Sequence, residues 1–414
     1  MANSVLTVKQ AQTIIAKSAA AMFKDKCQFL NTIDIEPDAT FKGANGYMAG
    51  DTITINKPAR FTMNNTADIT SAIQDVVEEK TTLTLSNQRN VPIALTSAEI
   101  ATDLALKDWM SRILEPAMTA LANGVEAECL AAAKNAVGNS VGTPGSSTFD
   151  TDMMLSAREL LGKNLAPQDE KRVALLDSSA MRKAVNARKG LFQSSSEIAS
   201  QYKNGYVGLA DGFTFLENNM LPTHTNGNDV TGVAVRTTVS TQGSTTIAVN
   251  GLTANTGTVT KGSTFTVAGV YAVHPVTKQA YDYLQQFVVL ADVTADASGF
   301  ADLTVYPAMY TSAAGGRQNI SAFPNSSGGT VTFFGSASTS YSNSMAYHKS
   351  AFRLVSAPLV LPNGVHMASQ ERQDGISVRV IQDYAPLTDK MIMRLDLLYG
   401  FTAVRPEWST RLWK

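Results

Sequence analysis

Metal or acid–base chemistry would begin at the histidines, cysteines and carboxylates. The four histidines, His224, His274, His348 and His366, are scattered, and none pairs at i, i+4. No His-Glu-x-x-His or Cys-x-x-Cys string occurs, so no zinc-ligand spacing exists. Cys27 and Cys129 are too few for a disulfide framework and predict reduced thiols. The chain has no phosphate-binding loop, and no nucleophile elbow is expected. Gly43, Gly46 and Gly50 lack the dinucleotide-binding spacing and read as a joint in the chain. Asp292, Asp296 and Asp302 fail the calcium-loop spacing, and Asp296–Gly299 reads as a hairpin turn. Lys171, Arg172, Arg182, Lys183, Arg188 and Lys189 could meet phosphate. Asp169, Glu170 and Asp177 interleave with them, so a solvated helix face is expected instead. No catalytic, cofactor or metal residue is therefore assigned, and an enzyme is not expected.

The composition points to a structural role. Of 414 residues, 44% are hydrophobic, enough for more than one core. With 34 basic and 35 acidic residues the chain is no polycation built to grip nucleic acid. Charged residues make up 17%, against roughly 25% in an average soluble protein. Such a surface can be buried against other subunits at little desolvation cost. There is no signal-peptide pattern, and no run approaches the ~18 apolar residues that span a bilayer. The expectation is a soluble protein made in a cytoplasm, without a membrane partner.

The elements follow from periodicity. Residues 5–30 predict an amphipathic helix, and 51–56 and 82–85 alternate as strands. The long connection 57–80 predicts a protruding arm, since ordinary hairpin loops have 2–5 residues. It holds apolar Phe61, Met63, Ile69 and Ile73 among charges, too few apolar groups to pack on its own subunit. A helix capped at Thr96 or Ser97 is expected to run to about Val137, kinked at Pro116. Its apolar stripe is Met118, Leu121, Val125, Cys129 and Ala132. Helices 151–161 and 178–189 flank a strand at 172–176. Between His224 and Tyr347 there is no Glu and only nine charged residues. Short alternating runs there predict an all-β barrel or sandwich inserted into a host domain. Strands return at 352–361, 376–381 and 391–404.

That order of parts resembles the P22-type branch of phage coat proteins, built on the HK97-type capsid fold. The residues that carry the resemblance are Gly50–Pro58, Leu121–Glu126, Gly212–Pro222, Lys261–Val270 and Leu398–Glu407. The resemblance implies an α+β, HK97-type fold with an inserted all-β domain. It implies an N-terminal arm at 1–46, strands and E-loop at 47–85, and a spine helix with peripheral domain at 86–138. It further implies an axial domain from 139–222 and 348–390, the inserted domain at 223–347, and a peripheral strand and tail at 391–414. The implied function is a major capsid protein that assembles into an icosahedral shell around phage DNA. The implied partners are copies of itself in hexamers and pentamers, a scaffolding protein, a portal protein, and double-stranded DNA contacted weakly and without sequence specificity. The implied location is the virion. The residues expected at intersubunit contacts lie in the E-loop: Lys57, Arg60, Phe61, Glu78, Glu79 and Lys80. A β-rich tail or receptor-binding protein is the alternative that the Ser/Thr-rich middle would also fit.

Overall fold

Local capping and strand pairing account for most of the elements in the computed structural model, which describes residues 8–35, 52–63, 67, 70, 73–74, 76–96, 110–145, 149–188, 207–387 and 390–413. The chain is mixed α+β and divides into two compact units. One gathers residues 1–55, 80–129 and 352–404, and the other gathers 56–79, 130–351 and 405–414.

The first unit is built on the long strand Lys390–Ala403. Phe352–Ala357 and Ile376–Ala385 pair with its two halves on one side, and Met367–Gln373 extends the sheet beyond. Asn87–Thr96 pairs along its other side and forms an edge, which is why Pro92, lacking an N–H, is tolerated there. The helix Val8–Lys26 packs on the strands Met367–Gln373 and Ile376–Ala385, burying Ala16, Ala19, Ala20 and Phe23. Beyond its end, the buried Glu126 carboxylate accepts the backbone N–H groups of Gln28 and Phe29. Phe29 then packs edge-on to Phe352, with ring centroids 5.8 Å apart. Asp396, fully buried, is held by Arg379 and Arg394, each at 2.6 Å. The expected sharing of one domain by 139–222 and 348–390 is not how the strands pair. Residues 352–385 join the sheet of Asn87–Thr96, because pairing is set by partners remote in sequence.

Pro116, where a kink or break was expected, is the second residue of the helix Glu115–Ala136, at a change of helix type that accommodates a residue without an N–H. A π-helical turn, Met110–Leu114, runs straight into it. The proposed cap at Thr96 falls at the end of a strand, and 97–109 lie outside the described residues. The helix buries Met118, Leu121, Val125, Cys129 and Ala133, while Ala132 points to solvent. The stripe therefore steps by four at its end rather than three.

In the second unit the central sheet runs Ser140–Val141, Ser409–Trp413, Ser340–His348, Arg172–Leu176, Phe213–Glu217, Leu209–Ala210. Helices Thr151–Lys163 and Ser178–Arg188 supply much of its core through Met154, Ala157, Leu161, Ala180 and Ala184. The Asp150 side chain caps the first by accepting the Met153 N–H at 3.0 Å. Asp177 does the same for the second through Ala180, at 2.8 Å.

Six strands, from Ala234–Val235 to Val331–Phe333, make a second sheet whose ends meet at a bridge between Ala234 and Thr330. The result is a barrel closed by that bridge around Val235, Ile247, Phe265, Phe287, Leu303 and Phe333. The barrel is narrower than the expected 223–347. Thr223–Thr225 pairs with Ser340–His348, and the latter pairs with Arg172–Leu176 in the central sheet. The Glu-free composition continues past the barrel because the largely buried strand Ser340–His348 is itself low in charge.

Polar contacts tie the barrel to that sheet. Gln286 clamps the backbone of Ser140, accepting its N–H at 2.6 Å and donating to its carbonyl at 2.9 Å. Arg411, fully buried, donates to the carbonyls of Gly262 and Lys134. Burial lowers its guanidinium to about 9.

Candidate intersubunit arm

The strands Thr52–Asn56 and Lys80–Thr84 pair as the root of a two-limbed arm. Alternation places Ile55 inward, on a cluster of Leu83, Leu85, Val355, Ala357 and Leu398. Gly400 lets the backbone of Thr84 pass; any Cβ there would collide with it. Above the root the limbs are joined by polar contacts. The Lys57 N–H donates to the Glu79 carbonyl at 2.7 Å. Gln74 then imitates a strand, accepting the Thr62 N–H at 2.8 Å and donating to its carbonyl at 2.6 Å.

Five apolar side chains stand out from these limbs: Phe61 is 54% exposed, Met63 86%, Ile73 79%, Val76 70% and Val77 43%. Sequence reasoning named the first three but not Val76 and Val77, which sit beside Glu78 and Glu79 in a run that reads as charged. Ile69 lies outside the described residues. Of the charged residues predicted for the arm, Glu78, Glu79 and Lys80 are exposed on the returning limb.

The foot of the arm packs on its own chain, contrary to the expectation that 57–80 would not. Lys57, Arg60, Phe61, Arg317, Glu407 and Trp408 are among the residues lining a cleft of ≈ 310 Å³. Arg60 Nη2 lies 3.6 Å from Glu407 Oε1, and Glu407 Oε2 accepts the Tyr306 hydroxyl at 2.9 Å. Burial, with Glu407 second, pushes the Tyr306 phenol well above its ordinary range. The arm thus has an anchored foot and an apolar, exposed outer part. No local signal links Glu407 or Tyr306 to residue 60, since they are remote in sequence.

The other candidate chemistry resolves into structural contacts. Asp296 accepts the N–H groups of Ser298 and Phe300, as a turn aspartate does, while Asp292 accepts from Lys261 and Asp302 pairs with Arg236. Arg172 and Arg188 are not on a solvated face. Arg172 is buried and donates to Ala166 and Pro167 carbonyls, and Arg188 is buried against Asp211 and the Phe215 ring. Lys189 lies outside the described residues. Both cysteines are buried thiols, their pKa raised by burial. His348 Nε2 lies 3.0 Å from Asp169, and His224 Nε2 lies 3.3 Å from Ser263. In letters, Gly138–Gly142 does match Gly-x-Ser-x-Gly, against the expectation of no elbow. Ser140 is nonetheless buried at the start of a two-residue strand, its hydroxyl 3.3 Å from that of Thr264, without the strand–turn–helix an elbow requires.

A family described as P22 coat protein, gene protein 5, matches residues 8–410. No curated protein matches the chain. Among solved structures, the capsid of Ralstonia phage GP4 is similar at 6% identity and TM-score 0.47, covering 94% of this chain and 90% of that one. A structure from Mycobacterium phage Che8 is similar at 12% identity and TM-score 0.45, covering 93% and 90%. A virus-like particle from Pyrococcus furiosus is similar at 6% identity and TM-score 0.39, covering 96% and 97%.

Proposed function

The chain belongs to the P22 coat protein family, and from that premise we propose how its parts serve a shell. It is a major capsid protein of a bacteriophage, with the HK97-type fold and inserted β domain of that family, and self-assembly into the capsid is its function. Its place is the virion. Coat proteins are structural and not an enzyme class. The tail or receptor-binding alternative falls with the family match.

The finer reading concerns the arm and the partners. Residues 57–80 form the E-loop, and the row Phe61, Met63, Ile73, Val76 and Val77 lies on a neighbouring copy in hexamers and pentamers. The exposure of that row carries this reading: apolar side chains kept in water are stabilised by burial elsewhere, and contiguous ones mark interaction surfaces. Glu78, Glu79, Lys80 and Lys57 then set register by pairing across the boundary, as rim charges do. Arg60 faces Glu407 of its own chain and contributes mainly to the foot. A scaffolding protein guides closure in the host cytoplasm, a portal occupies one vertex, and DNA meets the inner wall weakly, which suits a near-neutral chain. Co-expression with the cognate scaffolding protein, followed by sedimentation, tests this. Shell-sized particles are the expected product, and protein that stays at the top of the gradient at high concentration would count against it.

A further inference from the structure

At the foot of the arm the backbone crosses the inserted barrel at a position that only glycine can occupy. A Cβ built on Gly316 would sit 2.9 Å from the Arg60 carbonyl carbon, 3.3 Å from Phe61 Cα, and closer still to the Arg60 oxygen. Gly316 has no positive φ; its neighbour Gly315 carries that conformation, at 56°. The missing side chain is therefore required by the close approach of the arm and not by the turn itself.

The turn Ser312–Arg317 that presents Gly316 is braced from the next hairpin. Lys278 Nζ donates to the Gly316 carbonyl at 2.7 Å and the Gln318 carbonyl at 3.3 Å. Burial, and then the Arg60 guanidinium nearby, lower Lys278 to about 8, consistent with a lysine held close under the arm. On the other side Arg60 meets Glu407, which Tyr306 of the barrel strand Ala301–Met309 holds by its hydroxyl. Two fixtures therefore meet at Arg60: Gly316 against its backbone and that of Phe61, and Glu407 against its guanidinium.

We propose that the inserted barrel is the seat of the arm: Gly316, braced by Lys278, and Glu407, braced by Tyr306, fix the backbone of Arg60–Phe61 and set the direction in which the arm leaves its subunit. The inserted domain thereby acts on assembly through its own subunit, in addition to any contact it makes with another copy. The proposal rests on reading 57–80 as the intersubunit arm. Its test is made on unassembled full-length subunit, so the seat can fail without the arm's role failing, and the reverse.

Trypsin is the probe. Between Lys57 and Lys80 the only other basic residue is Arg60, and the Lys57–Pro58 bond resists cleavage, so the Arg60–Phe61 bond reports on the foot. Gly316→Val is expected to speed cleavage there about fivefold or more by populating an unseated arm, with melting within about 2 °C of the parent chain. Mass spectrometry of the products locates the cut, and faster amide exchange confined to 58–63 is expected alongside it. Unchanged cleavage and exchange in Gly316→Val would overturn the seat. Should that variant unfold the barrel, Glu407→Gln decides, because it removes the ion pair while keeping the side-chain shape. Faster cleavage at Arg60–Phe61 then supports the proposal, and cleavage at the parental rate overturns it.

Discussion

Replacing Met63 and Ile73 by serine separates what the arm does in the free subunit from what it does in a shell. Full burial of a Met or Ile side chain stabilises by ~1.5–3 kcal/mol. With Met63 86% and Ile73 79% exposed, about four-fifths of that is unrealised in the isolated subunit. For the pair this leaves roughly 2.5–5 kcal/mol available per arm contact as an upper bound. Even ~1 kcal/mol of it changes association about fivefold per contact, and the contact recurs at every lattice position. In the unassembled chain the same double substitution changes only solvated groups, so stability should move by less than ~0.5 kcal/mol. Thermal melting of the subunit and the concentration at which shells appear by light scattering are measured side by side. The expected outcome is an unchanged melt with assembly displaced to several-fold higher concentration. An unchanged assembly threshold would refute the placement of this row on a neighbour. A melt lowered by several degrees would show instead that the row packs within its own chain.

The closed barrel should fold when excised as residues 226–339, showing an all-β circular dichroism spectrum and a cooperative thermal transition, because its core draws only on its own strands. An unfolded fragment would mean that the clamp at Gln286 and Arg411 is needed for the barrel itself. Acid should weaken the second unit through His224, which burial, with Arg411 and Lys134 nearby, lowers to about 3. The folded chain keeps this imidazole neutral while the unfolded chain protonates near 6.5, so its contribution is complete above about pH 6.5 and is lost as pH falls toward 3. Lys134 and Arg411 stay protonated in both states below pH 7 and add no slope there. Between pH 6.5 and 5 the parent chain should lose roughly 1.6 kcal/mol more than His224→Gln. Parallel pH–stability curves for the two would contradict a buried neutral His224.

Where a pattern is local, it could be read before the structure. Thr52–Asn56 alternates and is a strand, Thr151–Lys163 and Ser178–Arg188 are helices around the strand Arg172–Leu176, and the low-charge middle contains an all-β barrel. Strands whose faces carry no alternation were not legible. Ser409–Trp413 is buried on both faces despite Ser409, Thr410 and Arg411, and Met367–Gln373 is a strand written mostly in polar residues. Asn87–Thr96 was hidden by Pro92, which an edge position tolerates. Which sheet a strand joins depends on partners hundreds of residues away, so residues 352–385 were assigned to the wrong neighbours. The paired strands at the root of the arm, Thr52–Asn56 and Lys80–Thr84, were visible from their alternation. The arm's seat was not, because Gly316, Lys278 and Glu407 meet Arg60 only after the barrel has closed.

The assembled particle is the direct test of the intersubunit arm. Electron cryomicroscopy of the chain co-expressed with its cognate scaffolding protein should give closed isometric shells, with residues 57–80 of each copy lying along the adjacent one and Met63 and Ile73 buried there. Discrete monomers or rods, or shells in which the arm contacts only its own subunit, would contradict it.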